Sequence, residues 1–158
     1  MRTLEAGIDG RDIRVAVVAS RFNQPVSTRL LDGCVARLEE LGARDVDVVW
    51  VPGAFEIPLA TRMAAEAGRY DAVVALGAVI RGETAHFDYV CRAVTDGVRD
   101  VTLATRVPIL FGVLTTDTAE QALRRAAAPG EDGINRGAEA AEGAIEMARL
   151  LRVIKKGA

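Results

Sequence analysis

The chain has 158 residues, of which 50% are hydrophobic and 27% are charged, with a formal net charge of −2. This length and composition predict one ordinary globular domain over residues 1–158, large enough to fold without a disulfide or metal staple. The near-neutral charge argues against nucleic acid and anionic membrane surfaces as partners. No apolar run is long enough to span a bilayer, so we expect no membrane segment.

Metal and Schiff-base chemistry have little support in the sequence. Only Lys155 and Lys156 are lysines, and both lie at the C-terminus. Cys34, Cys91 and the single histidine, His86, do not form a metal-ligand motif, so we expect no metal site. Unpaired cysteines and a polar N-terminus without a signal-peptide core predict a cytoplasmic location.

Four dense apolar runs predict four strands, and a helical pattern follows each of them. Continuous runs of Val, Ile and Leu are typical of strands buried on both faces. Thr118 and Gln121 have the spacing of a helix-capping box, and Gly97 is a weak point in the third helix. The predicted strands are 13–19, 46–51, 72–80 and 109–114, and the predicted helices are 26–41, 57–67, about 87–105, 118–126 and about 137–153.

This alternation predicts an α/β sandwich with a parallel sheet and helices on both faces. In such sheets, ligands bind beyond the carboxyl ends of the strands. The candidate site therefore lies in the four segments that leave those ends, which are residues 20–23, 52–56, 81–86 and 115–117. Phe22 and Phe55 lie in these exit segments and Phe87 follows one of them, where a flat ring is suited to stacking on a heterocycle.

The third exit segment, Gly-Glu-Thr-Ala-His at 82–86, has the features of an anion site. A glycine permits a tight turn, and the helix that follows offers free backbone N–H groups to a phosphate. Thr84 either donates to the anion or only caps the helix. His86, in the first turn, is a candidate for proton transfer.

Two further candidate positions allow two interpretations each. Glu56 is either a first-turn carboxylate stabilised by the helix dipole or an acceptor for a ligand hydroxyl or amine. Of Arg124 and Arg125, one is expected to face solvent while the other could bind phosphate, and their position does not decide between them.

The exit segments, taken together, resemble the 6,7-dimethyl-8-ribityllumazine synthase family of riboflavin biosynthesis. The combination is specific, although each motif alone would be weak. The matching stretches are SRFN at 20–23, VPGAFEIP at 51–58, GAVIRGETAHFDYV at 77–90, FGVLTTDTAEQALRRA at 111–126 and NRGAEAAEGAIEMA at 135–148.

The resemblance implies a flavodoxin-like sandwich with a four-stranded parallel sheet, assembled as a ring of five. It also implies the condensation of 5-amino-6-ribitylaminouracil with 3,4-dihydroxy-2-butanone 4-phosphate, with release of phosphate and water. No metal or organic cofactor is implied, because the amine of the substrate forms the imine. Riboflavin synthase is a further partner that the resemblance suggests.

Residue roles also follow from the resemblance. His86 would transfer protons, while Glu83 and Thr84 would bind phosphate through backbone N–H groups. Phe111 and Arg125 would reach the site from a neighbouring subunit, which selects Arg125 over Arg124. The residues implied to contact the pyrimidine and ribityl groups are Phe22, Asn23, Ala54, Phe55, Glu56, Ala78, Val79 and Ile80.

Several features depart from the family pattern or bear on assembly. Arg136 stands where a lysine is common, so contact of Arg136 and Glu139 with ligand stays open. The acidic Glu83 should point away from phosphate. The long loop 127–134 favours an isolated pentamer over a sixty-subunit shell, and the polar arm 1–12 is expected to pair with a neighbouring subunit. The Ala-rich last helix suits either a ring contact or packing on the sheet.

Other functions remain as alternatives. A family relative that stores a flavin or lumazine with weak catalysis would need neither His86 nor Arg125. A sixty-subunit structural shell is a further alternative. A flavodoxin proper would have a Ser-, Thr- and Gly-rich loop after the first strand, and a receiver domain would have an acidic cluster there. The chain instead has Arg21-Phe22-Asn23 at that place.

Overall fold

The four predicted strands form one parallel sheet. A computed structural model of the chain describes residues 1–157, and in it the strands lie in the order β2-β1-β3-β4. The strands β2 and β4 are therefore the two edges. The bounds are β1 Arg14–Ser20, β2 Asp45–Val51, β3 Ala72–Ile80 and β4 Ile109–Thr116.

Helices cover both faces of this sheet. On one face α1, α4 and α5 pack against β1 and β3 around Leu30, Leu76 and Ile145. On the other face α2 and α3 pack around Ile57 and Val94. The α/β sandwich with a flavodoxin-like arrangement is confirmed. The bounds are α1 Gln24–Glu40, α2 Ile57–Glu66, α3 His86–Thr105, α4 Ala119–Arg125 and α5 Arg136–Lys156.

The prediction that every strand is buried on both faces is wrong for the two edge strands, since Phe111 of β4 is 42% exposed and β2 is also partly uncovered. Val48 and Val49 are 41% and 39% exposed, whereas the interior residues of β1 and β3 are fully buried. The physical reason is position, because β2 lies at an edge of the sheet, where the helices leave part of the strand uncovered. A short 3₁₀ turn at Ala54–Glu56, directly after β2, was not predicted.

The helix boundaries follow the predicted signals with two refinements. Gly42 and Gly68, with φ of 89° and 69°, follow the ends of α1 and α2. The helix α3 continues through Gly97, and the glycine allows close packing on α2, because a Cβ there would lie 2.6 Å from the ring of Pro58. The amide of Gln121 donates to the Thr118 hydroxyl, but the Gln121 side chain accepts from the amide of Asp117 rather than completing the box on Thr118.

The small residues of α5 serve packing within the chain. Ala141, Ala144 and Ala148 are buried in the cluster between α1, α5 and the sheet. Of the two interpretations of this Ala-rich face, the structure therefore supports packing on the sheet. The arm 1–12 contains no strand in this single chain, and Asp9 and Asp12 at its base bind Arg149 of α5.

Candidate functional site

The carboxyl end of the sheet is stepped, and the step creates a place for a ligand. Pairing of β1 with β3 stops at Ala19–Leu76, whereas pairing of β3 with β4 continues to Ile80–Thr116. The last residues of β3 therefore extend past the end of β1. We call the surface around this step the strand-end surface, which comprises Phe22, Asn23, Ala54, Phe55, Glu56, Ala78, Val79, Ile80, Glu83, Thr84 and His86.

Asn23 fixes the first exit against β3. Its backbone is left-handed, with φ of 56° and ψ of 44°, a conformation that Asn tolerates better than most residues. Its side-chain amide donates to the carbonyl of Ala78 at 2.8 Å, and the Phe22 amide donates to the carbonyl of Pro52 at 3.1 Å. This leaves the Phe22 ring 70% exposed. The Ala78 carbonyl, predicted to face the pyrimidine, already accepts a bond from Asn23.

The second exit presents another exposed ring. The 3₁₀ turn buries Ala54 and leaves Phe55 64% exposed. The carboxylate of Glu56 folds back over the exit, since a Cβ on Gly53 would lie 3.1 Å from Glu56 Oε2. Two large exposed aromatic side chains on adjacent exits are unusual for a solvated surface and indicate a binding site. Of the other predicted contact residues, Ala54, Ala78 and Val79 are buried.

The third exit carries the polar residues. His86 is exposed and is the first residue of α3. Ala85, the residue before α3, has helical backbone angles and makes no side-chain capping bond. The Thr84 hydroxyl accepts a long bond of 3.4 Å from the His86 amide, as a capping side chain would, so both interpretations of Thr84 stay open. The hydroxyl proton of Thr84 thus remains free to donate to an anion.

The arginine at the start of this exit is already paired. Arg81 Nε donates to Asp117 Oδ1 at 2.8 Å, Nη1 donates to Asp88 Oδ1 at 3.3 Å, and the guanidinium lies 4.2 Å from the Phe87 ring centre. The hydrogen bond with Asp117 is the largest cause that raises the pKa of Arg81. Sequence reasoning passed over Arg81, although a cation directly after a strand end was a usable signal.

A second region follows the exposed edge of β4. A cavity of about 420 Å³, which we call the edge cavity, is lined by residues 110–116 together with Arg125, Arg136, Glu139 and Ala140. Phe111 in this lining is 42% exposed. Arg136 Nη1 donates to Glu139 at 2.5 Å, and Arg125 Nη1 donates to the Gln121 carbonyl at 3.2 Å. Arg124 is not part of the lining.

Asn135 positions the charged pair of this cavity. Its Oδ1 accepts from the amides of Gly137 and Ala138, and its Nδ2 donates to the carbonyls of Arg29 and Ala127. Through these four hydrogen bonds, the Asn135 side chain joins α1, the loop before α5 and the first turn of α5. From the sequence, Asn135 was named only within the motif 135–148, although an Asn directly before a helix was a usable signal for its cap on Gly137 and Ala138. Its bond to Arg29 joins segments that are distant in the chain.

The structure divides the predicted residues between the two regions. The lining of the edge cavity contains Phe111, Arg125, Arg136 and Glu139 and none of the strand-end residues. The edge cavity of one chain therefore contains Arg125 but not His86. Their meeting across a subunit boundary stays a prediction.

Residues 1–157 contain no group of three or more His, Cys, Asp or Glu side chains placed to hold a metal ion. No helix in the same part of the chain has the length and apolar character needed to cross a membrane.

Comparison with known protein families gives a match over nearly the whole chain. The model of the family described as 6,7-dimethyl-8-ribityllumazine synthase matches residues 12–152. The matched range contains β1 to β4, the strand-end surface and the edge cavity. The chain therefore belongs to the 6,7-dimethyl-8-ribityllumazine synthase family, which supports a synthase role in riboflavin biosynthesis.

Proposed function

We propose that the chain condenses 5-amino-6-ribitylaminouracil with 3,4-dihydroxy-2-butanone 4-phosphate to 6,7-dimethyl-8-ribityllumazine, releasing phosphate and water. The observation that carries this proposal is the strand-end surface of a chain in this family. There, two exposed rings, Phe22 and Phe55, lie on neighbouring exits, and an exposed histidine begins the helix after the third exit. A flat heterocycle, a phosphate and a proton-transfer group suit these three features.

Each exit has its own part in this proposal. Phe22 stacks on the pyrimidine beside Asn23, while Phe55, Glu56 and the backbone of 78–80 complete the uracil and ribityl subsite. Loop 81–85 and the start of α3 offer backbone N–H groups to the phosphate, together with the Thr84 hydroxyl. Glu83 contributes only its backbone, since its carboxylate would repel the anion. His86 transfers protons during imine formation and ring closure.

The phosphate needs a cation. Because Arg81 is already paired with two carboxylates, Arg125 is the better candidate for this role. Arg125 donates only to a backbone carbonyl and lies in a cavity that opens along a sheet edge. We propose that the edge cavity of one subunit closes over the strand-end surface of the next, so that Phe111 and Arg125 complete the site. A head-to-tail contact of this kind generates a ring.

We further propose that the assembly is a pentamer with five such sites, in which arm 1–12 pairs with a neighbouring subunit. A sixty-subunit shell is the alternative assembly. The reaction needs no cofactor, because the substrate amine supplies the nucleophile. We place the protein in the cytoplasm, with riboflavin synthase as a partner that consumes the lumazine.

The test is direct synthesis. Purified protein is mixed with both substrates, and lumazine absorbance and inorganic phosphate are followed together. Equal molar formation of both products at a rate well above the uncatalysed reaction supports the proposal. Tight lumazine or flavin binding without turnover would contradict it and favour a storage protein.

A further inference from the structure

We propose that Arg81 is a positioning residue that closes the phosphate-binding loop onto its own helix, and does not itself bind phosphate. This inference rests on the proposed function, which assigns the phosphate to loop 81–85 and the start of α3.

Arg81 joins three parts of the carboxyl end of the sheet. It follows β3, and its guanidinium contacts Phe87 and Asp88 in the first turn of α3, at 4.2 Å from the ring centre and 3.3 Å from Oδ1. The same group binds Asp117, which lies between β4 and α4, at 2.8 Å. The two ends of loop 81–85 are thus tied together by one side chain and fastened to the neighbouring exit.

The loop has few other restraints. Every residue from 81 to 86 is exposed, and the space around Gly82 is open. The Arg81 amide donates to the Thr116 carbonyl at 2.9 Å, and the Asp88 amide donates to the Ala85 carbonyl at 3.0 Å. Loose backbone N–H groups would lose conformational entropy when phosphate binds, so a side chain that closes the loop in advance favours binding.

The charge of Arg81 is balanced by its partners. Two carboxylates, Asp88 and Asp117, contact one guanidinium, and Glu83 lies in the same loop. A phosphate that took the remaining N–H groups of Arg81 as ligands would lie close to both carboxylates, which would repel it. Arg81 therefore positions the loop, and Arg125 of another subunit binds the charged phosphate.

The experiment compares Arg81→Ala, Arg81→Lys and Asp117→Asn with the matched control Arg99→Ala. Arg99 is an exposed arginine on α3 that also contacts two carboxylates, Asp96 and Asp100, outside the site. The readouts are KM for each substrate, kcat, inhibition by inorganic phosphate, and amide hydrogen exchange of the loop.

Arg81→Ala should raise KM for the phosphorylated ketone and the inhibition constant of phosphate by roughly tenfold, and leave KM for the uracil substrate within about twofold. Exchange of the loop amides should become faster. Arg81→Lys should recover part of the loss, since an ammonium keeps the charge but not the fork geometry. Arg99→Ala should resemble the unmodified protein in every readout.

Asp117→Asn separates positioning from direct binding. If Arg81 positions the loop, losing this partner should weaken phosphate binding by about threefold. If Arg81 were a phosphate ligand, releasing it from Asp117 should strengthen phosphate binding, which would overturn the inference. Unchanged loop exchange in Arg81→Ala would also overturn it. Absence of lumazine formation by the unmodified protein would refute the proposed function instead, and the exchange experiment would still test the role of Arg81.

Discussion

The strand-end surface and the edge cavity differ in both shape and chemistry. The first is an open step, with rings that are 70% and 64% exposed and a histidine at the start of a helix. The second is a cavity of about 420 Å³ that contains two arginines and one glutamate. The cation at the strand-end loop is balanced by carboxylates, whereas Arg125 in the cavity has only a backbone carbonyl partner.

Each of the two regions lacks chemical groups that the other provides. The strand-end surface has the proton-transfer candidate, the stacking rings and the backbone donors. The edge cavity has an available arginine and the half-exposed Phe111. Because the proposed reaction needs all of these groups together, we propose that the two regions are complementary parts of one site formed by two subunits.

His86→Gln tests the strand-end surface. It should lower kcat by roughly 10²-fold, the lower end of the usual range for acid–base catalysis, because imine chemistry proceeds partly without help. KM for both substrates should change little. Steady-state lumazine absorbance measures both quantities. Full turnover in this variant would show that another group transfers the proton.

Arg125→Ala tests the edge cavity. It should raise KM for the phosphorylated ketone by roughly ten- to a hundredfold, through loss of a charge-assisted bond, and leave KM for the uracil substrate nearly unchanged. The matched control is Arg124→Ala, because Arg124 is outside the cavity lining and should be close to neutral. An equal loss for both substrates would mean that the assembly, rather than a phosphate contact, has been damaged.

Asn135→Ala tests the support of the edge cavity. It removes four side-chain hydrogen bonds to backbone groups of residues 29, 127, 137 and 138. The free energy of unfolding should fall by about 2 kcal/mol, as expected for a lost helix cap with buried partners. Urea unfolding measures this change. KM for the phosphorylated ketone should rise while His86-dependent kcat changes less, and an unchanged unfolding energy would contradict the account.

Asp71→Asn tests the opposite end of the sheet and should spare both regions. Burial raises the pKa of Asp71, whereas hydrogen bonds from the Arg14 amide and from Arg152, both 2.9 Å long, lower it. The lowering effects together are larger, so the pKa lies below its ordinary value. The carboxylate therefore stabilises the fold above its unfolded pKa of about 3.9, and this contribution is lost as pH falls through the lower folded pKa.

The variant should thus lose about 1 kcal/mol of unfolding free energy at neutral pH, and the difference should shrink in acid. Asp100→Asn, at an exposed carboxylate on α3, serves as the control and should change stability little. Catalytic constants should be unchanged in both variants. A change in KM for Asp71→Asn would show that the two ends of the sheet are coupled.

Much of the fold could be predicted from local patterns. The apolar runs that form β1 and β3 are buried, and glycines follow the ends of α1 and α2 as expected. The exposure of β2 could not be predicted, because its run 46–51 resembles the others and only the strand order places it at an edge. The 3₁₀ turn at Ala54–Glu56 was missed because a single turn has too short a pattern.

The candidate site was predictable where topology alone determines it. Parallel strands bring their carboxyl ends together, so the exits that carry Phe22, Phe55 and His86 could be selected from sequence. The pairing of Arg81 with Asp117 and the bond of Asn135 to the Arg29 carbonyl depend on tertiary contacts between distant segments. That the edge cavity contains Arg125 and not His86 likewise depends on the three-dimensional arrangement and could not be predicted from the sequence.

The central claim is that one site is made from two subunits, and subunit mixing tests it most directly. The variants His86→Gln and Arg125→Ala, each impaired alone, are unfolded together, refolded as mixed assemblies and assayed at limiting phosphorylated ketone. A head-to-tail ring predicts that about a quarter of the sites pair an intact strand-end surface with an intact edge cavity, so activity should rise well above either variant alone. Mixed assemblies that show only the average of the two variants would contradict the account, because His86 and Arg125 would then act within one chain.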